Sequence, residues 1–451
     1  MQESQVIIQP LLSGTARQAI LQSKEPIMFT FKFIEAPLLS LGAVFKIIDH
    51  FGKIFGDSES KWKLQLPFLQ LLGDMGGLPR AISCLLRVCF GFEYDRGNEF
   101  FQSLNKNSVH FEPIFSRVAF DISNRYGIEG LLSSKKEVAA FVLGCAIKKK
   151  NVTLDTTFNG TSIGELESQG YIFLHNAGYE LYIRMPPIFI FLYNQHLRII
   201  PNELSIWMYG HGSKQSQSWE VFNGLFQIFL NNFFIQENKT VMKLGDLFRG
   251  AYGQKETKEL LVNLEELEFV ESVHQFPSNP KVIDKKSGRE IDWPNCKYLI
   301  LNGESTLGDT ICFRKLDRDS AKNYFGEDVK TIIISGHQKW DYNGSEFSLD
   351  DAMAEHNKAN KTLDIAKEKA AKDNLKDITR GLELCRVITV IFTSQNFPKE
   401  EICNIPKDIL IVHQGNFKDY YGPFSTHSAF TIAHNVNPNF ADISQINSLI
   451  N

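Results

Sequence analysis

The chain has 451 residues, of which 43% are hydrophobic and 22% are charged, and its formal net charge is −4. These values are typical of a globular protein of about three domains. They do not mark the whole chain as a nucleic-acid binder, although a local basic groove is compatible with them. The seven cysteines show no CxxC spacing, which argues against a zinc site and a disulfide scaffold and favours a reducing intracellular compartment. No run of about 18 apolar residues predicts a membrane span, and the first residues lack the pattern of a signal peptide.

The first hundred residues combine a short apolar strand pattern with a glycine-rich turn. Val-Ile-Ile at 6–8 leads into Ser-Gly-Thr at 13–15, and Gly-Gly-Leu-Pro-Arg at 76–80 precedes an apolar helical pattern at 81–88. Proline in that turn suits the start of a helix. These segments resemble the sensor strand and the helical lid of a STAND-like P-loop ATPase of the AAA+ kind. The resemblance implies a remnant ATPase-like region at 1–110.

The phosphate-binding loop of such an ATPase does not occur in this sequence. Gly-Lys-Ile at 52–54 is the nearest match to GxxxxGK[ST], but it lacks the hydroxyl residue and the upstream glycine. Without the loop there is no backbone cradle for phosphates and no lysine to reach them. We therefore expect this chain to use no ATP.

Residues 111–200 are predicted to form a winged-helix-like unit, with an amphipathic helix at 135–148, a short helix at 162–167 and a hairpin around Asn-Ala-Gly at 176–178. Three lysines, Lys148, Lys149 and Lys150, end the first helix. They are candidates for nucleic-acid binding, and the alternative is a solvated helix end favoured by the helix dipole.

A helical connection is predicted at 201–290. It contains an apolar helix at 219–234 and an amphipathic helix at 257–273, and prolines and polar residues then mark a boundary near 275–294. The last region, 291–451, alternates apolar strands with a long charged helix at 349–383. This order predicts an α/β sheet with a crossover connection. The strands are expected at 297–302, 310–315, 330–335, 386–393 and 408–412.

Three polar residues accompany two neighbouring strands of this last region. Asp309 opens one strand, and His337 and Lys339 close the next. Side chains two apart on a strand point to the same face, so His337 and Lys339 are expected on one side. The arrangement resembles the metal-dependent nucleases of the PD-(D/E)xK type, in which two carboxylates hold Mg²⁺ and a lysine positions and activates water. The resemblance implies a restriction-endonuclease-like domain with Asp309, His337 and Lys339 as catalytic residues.

This sequence departs from the nuclease pattern because histidine stands where an acid is expected. Mg²⁺ prefers oxygen ligands, so His337 suits Mn²⁺, Zn²⁺ or proton transfer better. With Mg²⁺ or Mn²⁺ as the expected cofactor, the predicted metal ligands are Asp309, Glu304 and His337. Other candidates for the missing acid remain open, namely Glu265, Glu266, Gln338 and Asp341.

The order of parts extends the resemblance over most of the chain. An ATPase-like lid, a winged helix, a helical connection and a nuclease-like domain with a late Tyr-Tyr-Gly-Pro-Phe turn at 420–424 are similar to the Crinkler effectors and the retrotransposon hot spot proteins. The resemblance implies an intracellular effector-like protein that acts in a host nucleus on DNA or RNA, or on a host nuclear protein. Trp340 and Tyr420 are candidates for stacking on bases, and core packing is the alternative. The competing hypothesis is a degenerate nuclease fold used only for binding.

Overall fold

The structure, a computed structural model, describes residues 38–177, 180–209, 216–276, 281–302, 307–327, 329–339, 346–372, 382 and 385–428. It is an α/β protein with a mixed six-stranded sheet. The strand predicted within 4–15 and its Ser-Gly-Thr sequence lie outside the described residues.

Helices dominate the part of the chain before the sheet. The first helix, α1, begins after Ser40, whose hydroxyl accepts the Ala43 N–H and so caps the helix. Residues 52–54, the nearest match to a phosphate-binding loop, are its last turn. The helix predicted at 81–88 is confirmed and starts with Pro79. The helices are α1 Leu41–Ile54, α2 Leu66–Asp74, α3 Pro79–Phe90, α4 Gly97–Asn105, α5 Phe111–Tyr126, α6 Ile128–Ser134, α7 Lys136–Lys148, α8 Ile163–Ser168, α9 Pro187–Leu197, α10 Asn202–Tyr209 and α11 Ser216–Gln236.

A small three-stranded antiparallel sheet follows α7. Its order is β1-β5-β4, and the predicted hairpin is its β4–β5 pair. The short helix α8 starts after Ser162, whose side chain accepts the Glu165 N–H. The helix, short helix and hairpin predicted in this region are therefore confirmed. The strands are β1 Asn151–Val152, β2 Thr157–Phe158, β3 Thr161–Ser162, β4 Phe173–Ala177 and β5 Glu180–Arg184.

The six-stranded sheet has the order β15-β14-β13-β12-β11-β8. Strands β11, β12 and β13 form an antiparallel meander, and β13, β14 and β15 are parallel. Its strands are β8 Glu268–Glu271, β11 Tyr298–Leu301, β12 Thr310–Lys315, β13 Thr331–Lys339, β14 Cys385–Thr393 and β15 Ile409–His413. All five strands predicted in this region are confirmed, and β13 runs four residues beyond the predicted end at 335.

The helix predicted at 257–273 is wrong. Only Lys255–Glu259 is helical there (α13), and the chain then forms β7 Leu261–Asn263 and β8. Leu260, Val262 and Leu264 are buried at alternate positions, which is the period of a strand. The backbone of β8 is hydrogen-bonded by parallel pairing with β11, and the sequence of the segment does not reveal this partner.

In the described part of the chain, seven further strands and α-helices lie around the sheet and on its two faces. They are β6 Val241–Lys243, α12 Leu244–Leu247, β9 Val282–Ile283, β10 Glu290–Ile291, α14 Arg318–Phe325, α15 Leu349–Lys372 and α16 Phe417–Tyr420. Helix α11 packs on one face of the sheet, and α15 makes the β13–β14 crossover on the other. In β13, Ile332 and Ile334 join the core that includes α11, and Ile333 joins the core that includes α15. His337 and Lys339 have the parity of Ile333 and lie on the α15 side.

Candidate functional site

The start of β12 meets the carboxyl end of β13. The β12–β13 register pairs Thr310 with Gly336, and one step further along it brings Asp309 opposite His337. The Asp309 N–H donates to the Gly336 carbonyl at 2.8 Å, and the Asp309 Oδ2 accepts the Gln338 N–H at 2.7 Å. Burial raises the pKa of Asp309, and the Gln338 hydrogen bond, His337 and Lys339 oppose that rise. The aspartate and the lysine therefore interact, as the sequence predicts.

A second carboxylate reaches this site from the crossover helix. Glu355 lies in the second turn of α15, and Lys339 Nζ is 2.7 Å from its Oε1. His337 Nδ1 is 3.1 Å from its Oε2. These two contacts, His337 first, lower the pKa of Glu355 to about 2 in spite of partial burial. The same-face placement of His337 and Lys339 is thus confirmed, since both hold one carboxylate.

His337 is almost completely buried, with 1% of its surface exposed. Its Nε2 lies 2.9 Å from the Ser335 Oγ, and the Ser335 hydroxyl donates to the Leu307 carbonyl. The Ser335 oxygen must therefore accept from Nε2, while Nδ1 faces the Glu355 carboxylate, which can only accept. Both ring nitrogens therefore already have protein neighbours, the Ser335 oxygen at Nε2 and the Glu355 carboxylate at Nδ1. That His337 is a metal ligand stays a prediction, and the structure places its Nδ1 beside Glu355.

Two buried oxygen atoms at the site have unused accepting capacity. The His337 Nδ1–Glu355 Oε2 pair is within ion-pair distance, but Oε2 has no well-aligned hydrogen-bond donor. The Gln338 Oε1 also lacks a donor, and its amide group donates to the Thr310 Oγ1 at 3.3 Å. The Gln338 side chain leaves the strand on the face away from Glu355, as alternation requires.

The donor set fits a hard divalent cation held by few protein ligands. Within the described ranges, no group of three or more His, Cys, Asp or Glu side chains is arranged to hold a metal. Mg²⁺ is commonly bound by one or two carboxylates together with waters. Asp309 and Glu355 supply two carboxylates that interact electrostatically, and Glu355 Oε2 is the buried atom without a directed donor.

Two other candidates for the missing acid, Glu265 and Glu266, do not reach this site. Glu265 lies between β7 and β8 and pairs with Lys315 at 3.5 Å, at the opposite end of β12 from Asp309. Glu266 is its neighbour on the same connection. Glu304 and Asp341 lie outside the described residues, as does Trp340.

The residues predicted to bind nucleic acid are mostly engaged in contacts within the chain. Lys148 pairs with Glu237 and Lys149 with Asp419. Lys150 Nζ lies 5.9 Å from the centre of a phenylalanine ring. Tyr420 is 1% exposed and packs against other aromatic rings. Its ring belongs to the core, which is the alternative given above, and the prediction that Tyr420 stacks on bases is wrong.

Sequence reasoning missed Glu355, although the helix pattern contains a signal for it. The buried residues Ala352, Ala359 and Leu363 form the apolar stripe of α15. Glu355 falls three residues after Ala352 and four before Ala359, so it lies on that stripe. An acid at such a position needs a partner, and the partners are His337 and Lys339.

A further carboxyl group acts on the site from the other side of the sheet. Glu220 lies in the second turn of α11, and partial burial together with the charge of Asp309 raises its pKa to about 7. No motif links Glu220 to the nuclease pattern, because only the packing of α11 brings it into range of Asp309.

Comparison of this chain with protein-family models, with curated proteins and with solved structures gives no match. Among the described helices, none has both the length and the apolarity needed to cross a membrane.

Proposed function

We propose that this chain is a nucleic-acid-processing protein whose β12–β13 edge hydrolyses phosphodiester bonds with Mg²⁺ or Mn²⁺. The observation that carries the proposal is the position of Glu355, which places a second carboxylate beside Lys339 and within electrostatic range of Asp309. A two-carboxylate site with an adjacent lysine on a mixed α/β sheet is the arrangement that the PD-(D/E)xK resemblance implies.

Each residue has a separate task in this proposal. Asp309 and Glu355 would hold the cation, which supplies Lewis-acid activation of water and stabilises charge on the phosphate. Lys339 has a side chain that is 31% exposed, so its ammonium group can donate both to Glu355 and to an attacking water or phosphate oxygen. The water oxygen bonds to phosphorus and loses a proton to solvent, the ester P–O bond breaks, and the leaving oxygen takes up a proton from solvent. Gln338 fixes Asp309 through its backbone N–H.

The test is cleavage of DNA and RNA substrates with Mg²⁺, with Mn²⁺ and with EDTA. The variants Asp309→Ala, Lys339→Ala and Glu355→Gln should each lose activity by about 100-fold or more, because each removes a group that acts on charge developing at the phosphate. The matched controls are Glu265→Gln and Lys315→Ala, which break an ion pair at the far end of β12. Unchanged cleavage in the three site variants would remove the proposal.

The second candidate is a degenerate nuclease fold that binds without cleaving. The observation in its favour is that Glu355 already contacts two donors, His337 and Lys339, which compete with a cation. This candidate predicts binding without turnover. The affinity should depend steeply on salt for a nucleic-acid partner and little on salt for a largely apolar contact with a host protein.

The larger assignment extends the resemblance to Crinkler effectors and retrotransposon hot spot proteins. The helices before α7 would be a remnant ATPase-like lid, the α7–β5 segment a winged helix, and the six-stranded sheet a restriction-endonuclease-like domain acting in a host nucleus. The three-stranded sheet with α7 and α8 supports the winged-helix part. Fluorescence imaging of the tagged chain in host cells tests the location, and exclusion from the nucleus would count against it.

A further inference from the structure

We propose that His337 is a positioning residue, which orients the Glu355 carboxylate from within the protein and thereby allows a helix to supply the acid that the strand lacks. This inference rests on the proposed function. It adds a role that the nuclease pattern does not give to the residue two before the lysine.

The contacts form a chain that begins in the backbone. The Leu307 carbonyl accepts from the Ser335 hydroxyl, Ser335 Oγ accepts from His337 Nε2, and His337 Nδ1 faces Glu355 Oε2. Ser335 is 0% exposed and His337 is 1% exposed. The approach of the loop to the strand is close, since a Cβ on Gly308 would lie 2.8 Å from Ser335 Oγ. The imidazole is therefore held at Nε2 by Ser335, and its other nitrogen, Nδ1, lies beside the carboxylate.

A glutamate on a helix needs this support more than an acid on the strand. Its side chain has several rotatable bonds, and holding them in one geometry costs side-chain entropy. His337 Nδ1 lies 3.1 Å from Oε2 and Lys339 Nζ lies 2.7 Å from Oε1, so each carboxylate oxygen has one of the two residues beside it. Lys339 is partly exposed to solvent, while His337 is buried.

A Ser-His-Glu nucleophile does not explain the same three residues. Ser335 is fully buried, so no substrate can reach its oxygen, and its hydroxyl proton is directed to Leu307 rather than to the imidazole. A general base must accept that proton. The Ser335 proton thus points away from the imidazole, whose Nδ1 lies beside Glu355, as a positioning role requires.

Other charged groups near Glu355 do not replace His337. Lys358 is 3.7 Å from Glu355 Oε2 but lies on the outer side of α15 with a side chain that is 46% exposed. His356, the next residue on α15, is engaged with Thr389 and Asn360 instead.

The experiment uses two substitutions that each keep one ring nitrogen. In His337→Asn the amide nitrogen falls near the position of Nδ1 and can still donate to Glu355. In His337→Gln it falls near Nε2 and can reach only Ser335. Orienting groups behind metal ligands typically contribute about 10–100-fold to metal affinity or activity. We expect His337→Gln to lower kcat about 10–100-fold and weaken Mn²⁺ activation, with little change in the KM for nucleic acid. We expect His337→Asn to stay within about threefold of the parent.

A second measurement works without activity. The unfolding constants of a double-mutant cycle of His337→Gln and Glu355→Gln are measured by urea unfolding in EDTA. If the two residues interact, the constant of the double mutant should differ by about tenfold or more from the value expected for independent single mutations. The same cycle with His337→Asn tests the retained Nδ1 contact, and circular dichroism at 25 °C checks that each variant is folded. The inference would be overturned by equal effects of His337→Asn and His337→Gln on kcat. It would also be overturned if the effects of His337→Gln and Glu355→Gln on the unfolding constant were independent. An inactive parent chain would remove the proposed function alone, and the cycle would then decide the role of His337.

Discussion

The ionisation of Glu355 makes a quantitative prediction about stability. Its pKa is about 2 in the folded chain, against an ordinary value near 4.5. The difference of about 2.5 units corresponds to about 3 kcal/mol of folding stability from the ionised form. Because the folded pKa is the lower one, this contribution is complete above about pH 6. It is lost as the pH falls through 4.5 toward 2, and about 2 kcal/mol of it should be gone at pH 3.

The perturbation is Glu355→Gln, and the assay is urea unfolding at pH 7, 5 and 3 without divalent metal. The variant should be about 3 kcal/mol less stable than the parent at pH 7 and only about 1 kcal/mol less stable at pH 3, because the amide cannot ionise. Glu265→Gln is the control, since its pair with Lys315 is half exposed and such pairs contribute about 0–1 kcal/mol. A difference between parent and Glu355→Gln that does not change with pH would refute the reasoning.

The remaining predictions concern the other carboxyl group, a buried histidine and the core. Glu220 has a pKa raised to about 7, so the free energy of unfolding falls as the pH rises from 4.5 to 7. In urea unfolding, Glu220→Gln should be up to about 3 kcal/mol more stable than the parent at pH 8 and equal to it at pH 4. Burial lowers the pKa of His413 to about 4, so the parent should lose about 3 kcal/mol as the pH falls from 6.5 through 4, and His413→Asn should not show that loss over the same range. Ile333, fully buried between β13 and α15, should cost about 2–5 kcal/mol when replaced by alanine, and Ile365→Ala on the exposed side of α15 should change the urea midpoint little. A comparable loss in the two alanine variants would contradict the assigned core.

The strands of the sheet could be predicted because their sequences are continuous apolar runs. The run before His337 is buried on both faces in the structure, as parallel and central strands require. Alternation then placed His337 and Lys339 on one side, and the contact of both with Glu355 confirms it. The opposition of Asp309 and His337 needed the antiparallel register, which the sequence does not specify by itself.

Glu355 could not be assigned to the site from its local sequence alone. It is 16 residues beyond Lys339, and only the crossover of α15 back over β13 brings the two together. Its place on the apolar stripe was a readable signal, but the charged composition of the helix concealed it. The error at 257–273 has a similar origin, because the short strands β7 and β8 acquire their structure from pairing with β6 and β11 rather than from local preference.

Whether Glu355 takes part in cleavage is decided by the initial Mn²⁺-dependent rates of the parent chain, Glu355→Gln and Glu265→Gln on the same substrate. The account predicts a loss of about 100-fold or more in Glu355→Gln, with Glu265→Gln retaining the parent rate. Equal rates in all three proteins would show that the carboxylate on α15 takes no part in the chemistry.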